Sequence, residues 1–258
     1  MDYSGEVASI QRQLAQCQDM VARRLVVLDT LGAGSGERIL EAGCGAGLCL
    51  RELGVAVGTD GRVVGIDVSE DQVHAAAMLC HGLAHVEVGV GDVLAIPALD
   101  DDFDATVTIQ VLEYVDDTAA AVAELARVTR SGGRFVNVAT NWGALFWHGG
   151  RVDLTERVLA AWQRHAPHPN LPVPLPSWLH AHGFGAVHQR PVTIVNRHFQ
   201  PNAWSYSAAR LMAAFARTLA EIDDTDIEAW LASLDKADQS GDFFVSSVPV
   251  LTTATRLR

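Results

Sequence analysis

The chain has 258 residues, of which 49% are hydrophobic and 19% charged, a composition typical of a globular protein large enough to bury a full core. Its 31 acidic and 19 basic residues give a net charge of -12, which repels phosphate groups and argues against a nucleic-acid substrate. No apolar run reaches 18 residues, and the first residues include Asp2 and Glu6, so we expect neither a membrane span nor a signal peptide.

Cysteine and histidine spacing argues against disulfides and metal sites. Four cysteines occur, at positions 17, 44, 49 and 80. They form no C-x-x-C pair, so we predict free thiols and a cytoplasmic location. Two histidine pairs, His165 with His168 and His180 with His182, have no clear third ligand in the sequence. The sequence therefore predicts no bound metal.

The N-terminal region is predicted to form a helical lid. Apolar residues recur at three- and four-residue spacing, at Ile10, Leu14, Cys17, Val21, Leu25 and Leu28. A glycine-rich joint, residues 32–36, separates this helix from the first strand. We therefore divide the chain into a lid, residues 1–35, and a larger domain, residues 36–258. A helix that only covers the edge of the sheet is the alternative.

A glycine-rich turn follows the first predicted strand, Arg38–Ala42. Gly43, Gly45 and Gly47 allow a sharp turn and let a ligand approach the backbone, and the helix that starts at Leu48 points its free N–H groups the same way. A dinucleotide fingerprint, G-x-G-x-x-G, requires glycine at position 48. Leu48 would crowd a pyrophosphate there, so the spacing argues against a nicotinamide cofactor.

The second predicted strand, Arg62–Asp67, ends in an acidic residue. Ligands of open parallel sheets bind at the carboxyl ends of the strands, so Asp67 lies where a ligand is expected. A carboxylate at this point can accept hydrogen bonds from two ribose hydroxyls. We assign Asp67 and the following residue, Val68, to a cofactor site.

Strands and helices then alternate through the first half of the chain. Further strands are predicted at His85–Gly89, Ala105–Gln110 and Arg134–Ala139, with a helix at Thr118–Arg130. Five strand–helix repeats with short loops predict an α/β fold with a parallel sheet and helices on both faces.

The second half of the chain is rich in aromatic residues, since 13 of the 17 lie after position 141. We predict a sixth strand at Ala186–Asn196. One insert, residues 142–176, lies between the fifth and sixth strands, and a second, residues 197–240, lies between the sixth strand and the last. Pro191 suits an edge position, and a last strand covers Phe243–Arg256. Aromatic inserts are suited to form a substrate cap around a planar or apolar small molecule.

Four landmarks resemble the class I S-adenosylmethionine-dependent methyltransferases. Glu41–Gly47 reads E-x-G-x-G-x-G, like the family's motif I, and Asp67 follows at the end of the next strand. Gly91–Pro97 resembles the stretch G-D-x-x-x-x-P, and Gln110 begins a segment like the one after the family's fourth strand. The chain is most similar to small-molecule methyltransferases of the UbiE/type-11 kind.

This resemblance implies a fold and a set of cofactor contacts. The fold is a Rossmann-like, seven-stranded, mostly parallel sheet whose last strand is antiparallel and lies between strands five and six. The implied cofactor is S-adenosyl-L-methionine, and the implied product is S-adenosyl-L-homocysteine. The implied contacts are the methionine part with Gly43, Gly45, Gly47 and Gln110, the ribose with Asp67, and the adenine with Asp92 and the backbone N–H of Val93. Glu41, the acid of the same motif, is assigned to the cofactor site as well.

The implied reaction is in-line transfer of a methyl group to O, N or C of a small, aromatic or apolar metabolite, such as a natural product of secondary metabolism or a quinone-like compound. Positioning supplies much of the rate, roughly 7–11 kcal/mol, and a general base is needed only for a protonated, weak nucleophile. Four residues lie in suitable segments, at Tyr114, His148, His198 and Tyr206. None is assigned as catalytic.

Two alternatives stay open. The same fold and cofactor can serve cyclisation or decarboxylation, and an NAD(P)-dependent oxidoreductase is a second possibility that Leu48 opposes. We expect a small-molecule substrate and a monomer or a homodimer.

Overall fold

A computed structural model describes residues 5–257. The chain divides into two compact units, each made of three segments. The sheet unit comprises Arg24–Thr140, Asn170–Pro191 and Val250–Arg258, and the insert unit comprises Met1–Arg23, Asn141–Pro169 and Val192–Pro249, as far as these residues are described.

Helices and strands alternate in the first half of the chain and cluster in the second. The helices are α1 Gly5–Gln16, α2 Gln18–Leu31, α3 Leu48–Val57, α4 Glu70–Leu79, α5 Thr118–Val128, α6 Val152–Trp162, α7 Leu175–Ala181, α8 Trp204–Leu219 and α9 Asp224–Gln239. The strands are β1 Arg38–Ala42, β2 Arg62–Asp67, β3 Val86–Val90, β4 Phe103–Ile109, β5 Thr129–Thr140, β6 Phe146–His148, β7 Phe184–Pro191, β8 Ile194–Asn196, β9 Phe244–Ser247 and β10 Pro249–Arg256.

The sheet unit has a seven-stranded sheet with the order β3-β2-β1-β4-β5-β10-β7. The pairs β1–β2, β2–β3, β1–β4 and β4–β5 are parallel, as expected for strands joined by helical crossovers. The last strand, β10, lies between β5 and β7 and runs antiparallel to β7. The prediction of a Rossmann-like, mostly parallel sheet with an antiparallel last strand is confirmed.

Helices cover the sheet with apolar residues at helical spacing. In α5, Ala121, Val122 and Leu125 are buried together on one side of the helix. Strand β1 is buried along four of its five residues, which is typical of a parallel strand covered on both faces. The rings of Phe135 and Phe184, both about 99–100% buried, lie 5.3 Å apart in this core.

The last two predicted strands were too long. Ala186–Asn196 divides into β7 and β8, and Phe243–Arg256 divides into β9 and β10. In each case the break falls beside a proline, Pro191 or Pro249, which has no N–H to continue a ladder. Strands β6, β8 and β9 form a separate three-stranded sheet in the order β6-β9-β8, which the sequence did not predict.

The predicted N-terminal helix is also interrupted. It breaks at Cys17, between α1 and α2, so the apolar stripe changes phase in α2. As a result Leu25 is 57% exposed, whereas Val27 and Leu31 are buried. The prediction of Leu25 on the buried face was wrong, because it assumed one continuous helix.

The insert unit has its own aromatic core. Five of the six tryptophans lie there and are buried, at Trp142, Trp147, Trp162, Trp204 and Trp230. They pack on each other and on neighbouring rings; the Trp142 and Trp162 rings, for example, are 5.5 Å apart at an interplanar angle of 80°. The roles of residues 1–35 as a lid and of the inserts as a substrate cap stay predictions.

Three further sequence features are not confined to one unit. Within residues 5–257, no helix is long and apolar enough to cross a membrane. The four cysteines are free and buried. No group of three or more His, Cys, Asp or Glu side chains that could hold a metal ion occurs in the same described part.

Candidate cofactor site

The carboxyl ends of four neighbouring strands meet at one edge of the sheet. Ala42 pairs with Ile66, and Ile66 pairs with Gly89, so Gly43, Asp67 and Val90 follow at the same level. Since neighbouring strands lie about 4.8 Å apart, the ends of β3 and β4 are separated by roughly 14 Å. The order along this edge is Asp92 after β3, Asp67 after β2, the glycine turn after β1 and Gln110 after β4.

The glycine turn has a left-handed backbone at all three predicted glycines, with φ of 74° at Gly43, 51° at Gly45 and 81° at Gly47. A Cβ atom on Gly43 would lie 2.2 Å from Val111 Cγ2, and one on Gly47 would lie 2.8 Å from Ala76 Cβ. These two glycines are therefore required by close packing as well as by φ.

Gly45 differs from the other two glycines. A Cβ atom there would have nothing within 4 Å, so this side of the turn is open. Helix α3 begins directly after the turn, at Leu48, and the first N–H groups of a helix have no partner within it. The open face beside Gly45 is thus suited to a ligand that contacts the backbone.

Asp67 ties the end of β2 to the glycine turn. Its Oδ2 accepts a hydrogen bond from the Gly45 N–H at 2.9 Å, and its Oδ1 accepts one from the Ser69 N–H at 3.0 Å. Each carboxylate oxygen can accept a second bond. The carboxylate is therefore fixed in place by backbone donors and keeps acceptor capacity for two hydroxyls.

The residues after β3 divide between the surface and the core. Asp92 is exposed, and its Oδ1 accepts a hydrogen bond from the Leu94 N–H at 2.9 Å, which shapes the turn. The Val93 side chain is 6% exposed and packs in the core of the sheet unit. Val68, the predicted cofactor residue that follows β2, is 70% exposed. The contact predicted for Val93 uses its backbone N–H, which is compatible with a buried side chain.

Glu41 is a buried carboxyl group at the end of β1. It is 3% exposed, and its Oε2 has no hydrogen-bond partner among the described residues. Burial raises the pKa of Glu41 to about 8; the Cys49 thiol and the Arg24 charge oppose this rise, whereas the charges of Glu52 and Asp67 add to it. A ligand cation placed beside this carboxyl group would favour its ionised form.

The Gln110 side chain is held at both ends. Its Nε2 donates to Glu113 Oε1 at 2.8 Å, and its Oε1 accepts a hydrogen bond from the Thr140 hydroxyl at 2.9 Å. Sequence reasoning named Gln110 but missed Glu113 and Thr140. The acid three residues after Gln110 was a local signal, whereas Thr140 lies 30 residues away and had none.

The four possible general bases fall in different units. Tyr114 lies in the sheet unit, in a 3-10 turn at Leu112–Tyr114 that follows Gln110. The other three lie in the insert unit. His148 and His198 contact Asp242 and Asp238 near the surface, and the Tyr206 ring stacks under the Arg210 guanidinium at 3.4 Å. No catalytic base is assigned.

The chain is similar to known proteins over part of its length. Residues 40–137 match the family model described as a methyltransferase domain. The chain is 41% identical over 133 residues to an uncharacterized 37.1 kDa protein of a Streptomyces fradiae transposon. This alignment covers 52% of this chain and 39% of that protein. It is also 32% identical over 124 residues to the demethylmenaquinone methyltransferase of Staphylococcus aureus. That alignment covers 48% of this chain and 51% of the relative.

Among solved structures, the cyclase SpnF aligns with a TM-score of 0.64 and 20% identity over 97% of this chain and 93% of that one. This likeness supports the fold. The chain spans about half the length, or less, of the two curated relatives. The predicted resemblance to class I methyltransferases of the UbiE/type-11 kind is confirmed, and the match to the methyltransferase family model covers residues 40–137.

Glu41→Gln is expected to change how stability depends on pH. The pKa is about 8 in the folded chain and near the ordinary 4.5 in the unfolded chain, so the folded state binds the proton more tightly. Folding stability is therefore lost as the pH rises from 4.5 to 8. The Glu41→Gln variant cannot ionise at this position and does not lose this stability. Its free energy of unfolding relative to that of wild type should therefore increase by on the order of 3 kcal/mol when the pH is raised from 5.5 to 8.5.

Urea unfolding at the two pH values measures this difference. Asp60→Asn makes the same change at an exposed turn and should leave the pH dependence unaltered. An equal advantage of Glu41→Gln at both pH values would show that Glu41 is ionised in the folded chain.

Proposed function

We propose that this chain transfers a methyl group from S-adenosyl-L-methionine to O, N or C of a small acceptor molecule. The observation that carries this proposal is the alignment of Asp92, Asp67 and the open glycine turn on three successive strand ends, β3, β2 and β1. S-adenosyl-L-methionine consists of an adenine, a ribose and an amino-acid end in that order. The adenine amino group needs a hydrogen-bond acceptor, the ribose hydroxyls need a fixed carboxylate, and the amino-acid end needs an exposed backbone turn.

The residues fit this cofactor in three respects. The open space beside Gly45 admits an extended ligand, Asp67 keeps acceptor capacity for two hydroxyls, and the unpartnered Glu41 Oε2 suits a ligand that brings cationic groups. When bound, the cofactor supplies an electrophilic methyl group on a sulfonium. The chain's part is to hold that group in line with the acceptor and away from water.

The acceptor is proposed to be a small aromatic or apolar metabolite, natural-product or quinone-like. The net charge of -12 disfavours polyanionic acceptors such as RNA or DNA. The name of the Staphylococcus aureus relative indicates a quinone-type acceptor for that protein, which supports a related class here.

Asp67→Asn should weaken the binding of S-adenosyl-L-homocysteine. The amide cannot accept hydrogen bonds from two hydroxyls while it also accepts two backbone N–H groups, so we expect a loss of about 1–3 kcal/mol, or roughly 5- to 150-fold in Kd. Isothermal titration calorimetry measures the change. Asp71→Asn alters the net charge equally at an exposed position four residues along and should bind like wild type; equal Kd values for wild type and Asp67→Asn would remove Asp67 from the site.

Methyl transfer itself is tested with methyl-labelled S-adenosyl-L-methionine. Phenols, hydroquinones and hydroxylated polycyclic compounds are supplied as acceptors, and label in the apolar extract is the expected result, reduced in Asp67→Asn. Cofactor binding without transfer of label would favour a cyclisation or decarboxylation. Tight binding of a nicotinamide dinucleotide in place of the sulfonium cofactor would favour an oxidoreductase.

A further inference from the structure

The backbone at Gln110 has an unusual conformation. Its φ is +56°, in the left-handed region that residues other than glycine, asparagine and aspartate rarely adopt. Its N–H still donates to the Val138 carbonyl at 2.8 Å, so the residue belongs to the end of the β4–β5 ladder. Strained backbone of this kind persists where surrounding contacts enforce it, and it clusters at functional sites.

The contacts that enforce it come from two buried side chains. Glu113 is fully buried and Thr140 is 2% exposed. Glu113 accepts a hydrogen bond from the amide nitrogen of Gln110, and the Thr140 hydroxyl donates one to its amide oxygen. The two bonds fix the side chain in one orientation and thereby oppose relaxation of the backbone.

The turn at Gln110 also supports the glycine turn. The next residue, Val111, packs so closely on Gly43 that a Cβ atom there would lie 2.2 Å from Val111 Cγ2. A movement of Gln110 would move Val111 and release this contact. The end of β4 and the glycine turn after β1 are therefore mechanically connected.

We propose that Thr140 and Glu113 are positioning residues that hold the Gln110–Val111 turn against Gly43 and so shape the site for the amino-acid end of the cofactor. This inference rests on the proposed function, because it names a part of the same cofactor site. It assigns the two residues an effect on the amino-acid end and none on the nucleoside end, which lies along the edge at Asp67 and Asp92.

Two probes separate the two ends. S-adenosyl-L-homocysteine carries the amino-acid end, and 5′-methylthioadenosine lacks it. Thr140→Val removes the hydroxyl with little change in shape and should weaken binding of the first probe by about three- to tenfold, the effect of one lost hydrogen bond, while Kd for the second changes less than about twofold. Thr140→Ser keeps a hydroxyl and should restore the wild-type ratio of the two Kd values.

Thr106→Val is the matched control. Thr106 is a fully buried threonine in β4 whose hydroxyl shares a hydrogen bond with that of Thr129, away from the strand end. Its replacement should lower stability without changing the ratio of the two Kd values. Calorimetric titration of the four proteins with both probes gives all the values required.

The outcomes are distinct. Equal losses for both probes in Thr140→Val, no loss for either, or failure of Thr140→Ser to restore the ratio would overturn the positioning role while the proposed function stands. A wild-type chain that binds neither probe would contradict the proposed function and this inference with it.

Discussion

The hydrogen bond from the Gly45 N–H to the Asp67 carboxylate is the interaction on which the rest of the site depends. It joins two strand ends that are 22 residues apart in sequence and neighbours in the sheet. Because β1 and β2 are parallel and in fixed register, their carboxyl ends lie side by side at the edge of the sheet. The bond then orients a carboxylate at the rim and holds the open side of the turn next to it.

Close packing below the turn complements this bond. Val111 and Ala76 occupy the space that side chains at Gly43 and Gly47 would fill, so the turn is supported from both sides, whereas Gly45 faces open space. Glu41 adds a buried carboxyl group whose pKa is raised by desolvation. A rigid backbone turn and a buried acid that a cation would ionise together suit a ligand that carries positive charge.

Local patterns made much of this arrangement predictable, because the turn and Asp67 are encoded by glycine spacing and by the end of an apolar strand. The contact of Gln110 with Thr140 spans 30 residues and depends on the pairing of β4 with β5, so no local pattern reveals it. The strands of the small sheet have only three or four residues, too few to show alternation. Leu25 was misplaced for a related reason, since one break in a helix rotates every later residue.

The central claim is that three successive strand ends hold adenine, ribose and amino-acid end in that order. A crystal structure of the chain with S-adenosyl-L-homocysteine tests it most directly. We expect the adenine at Asp92, the ribose hydroxyls on the Asp67 carboxylate and the homocysteine part over Gly45. A nucleoside bound elsewhere, or bound along this edge in the reverse direction, would contradict the account.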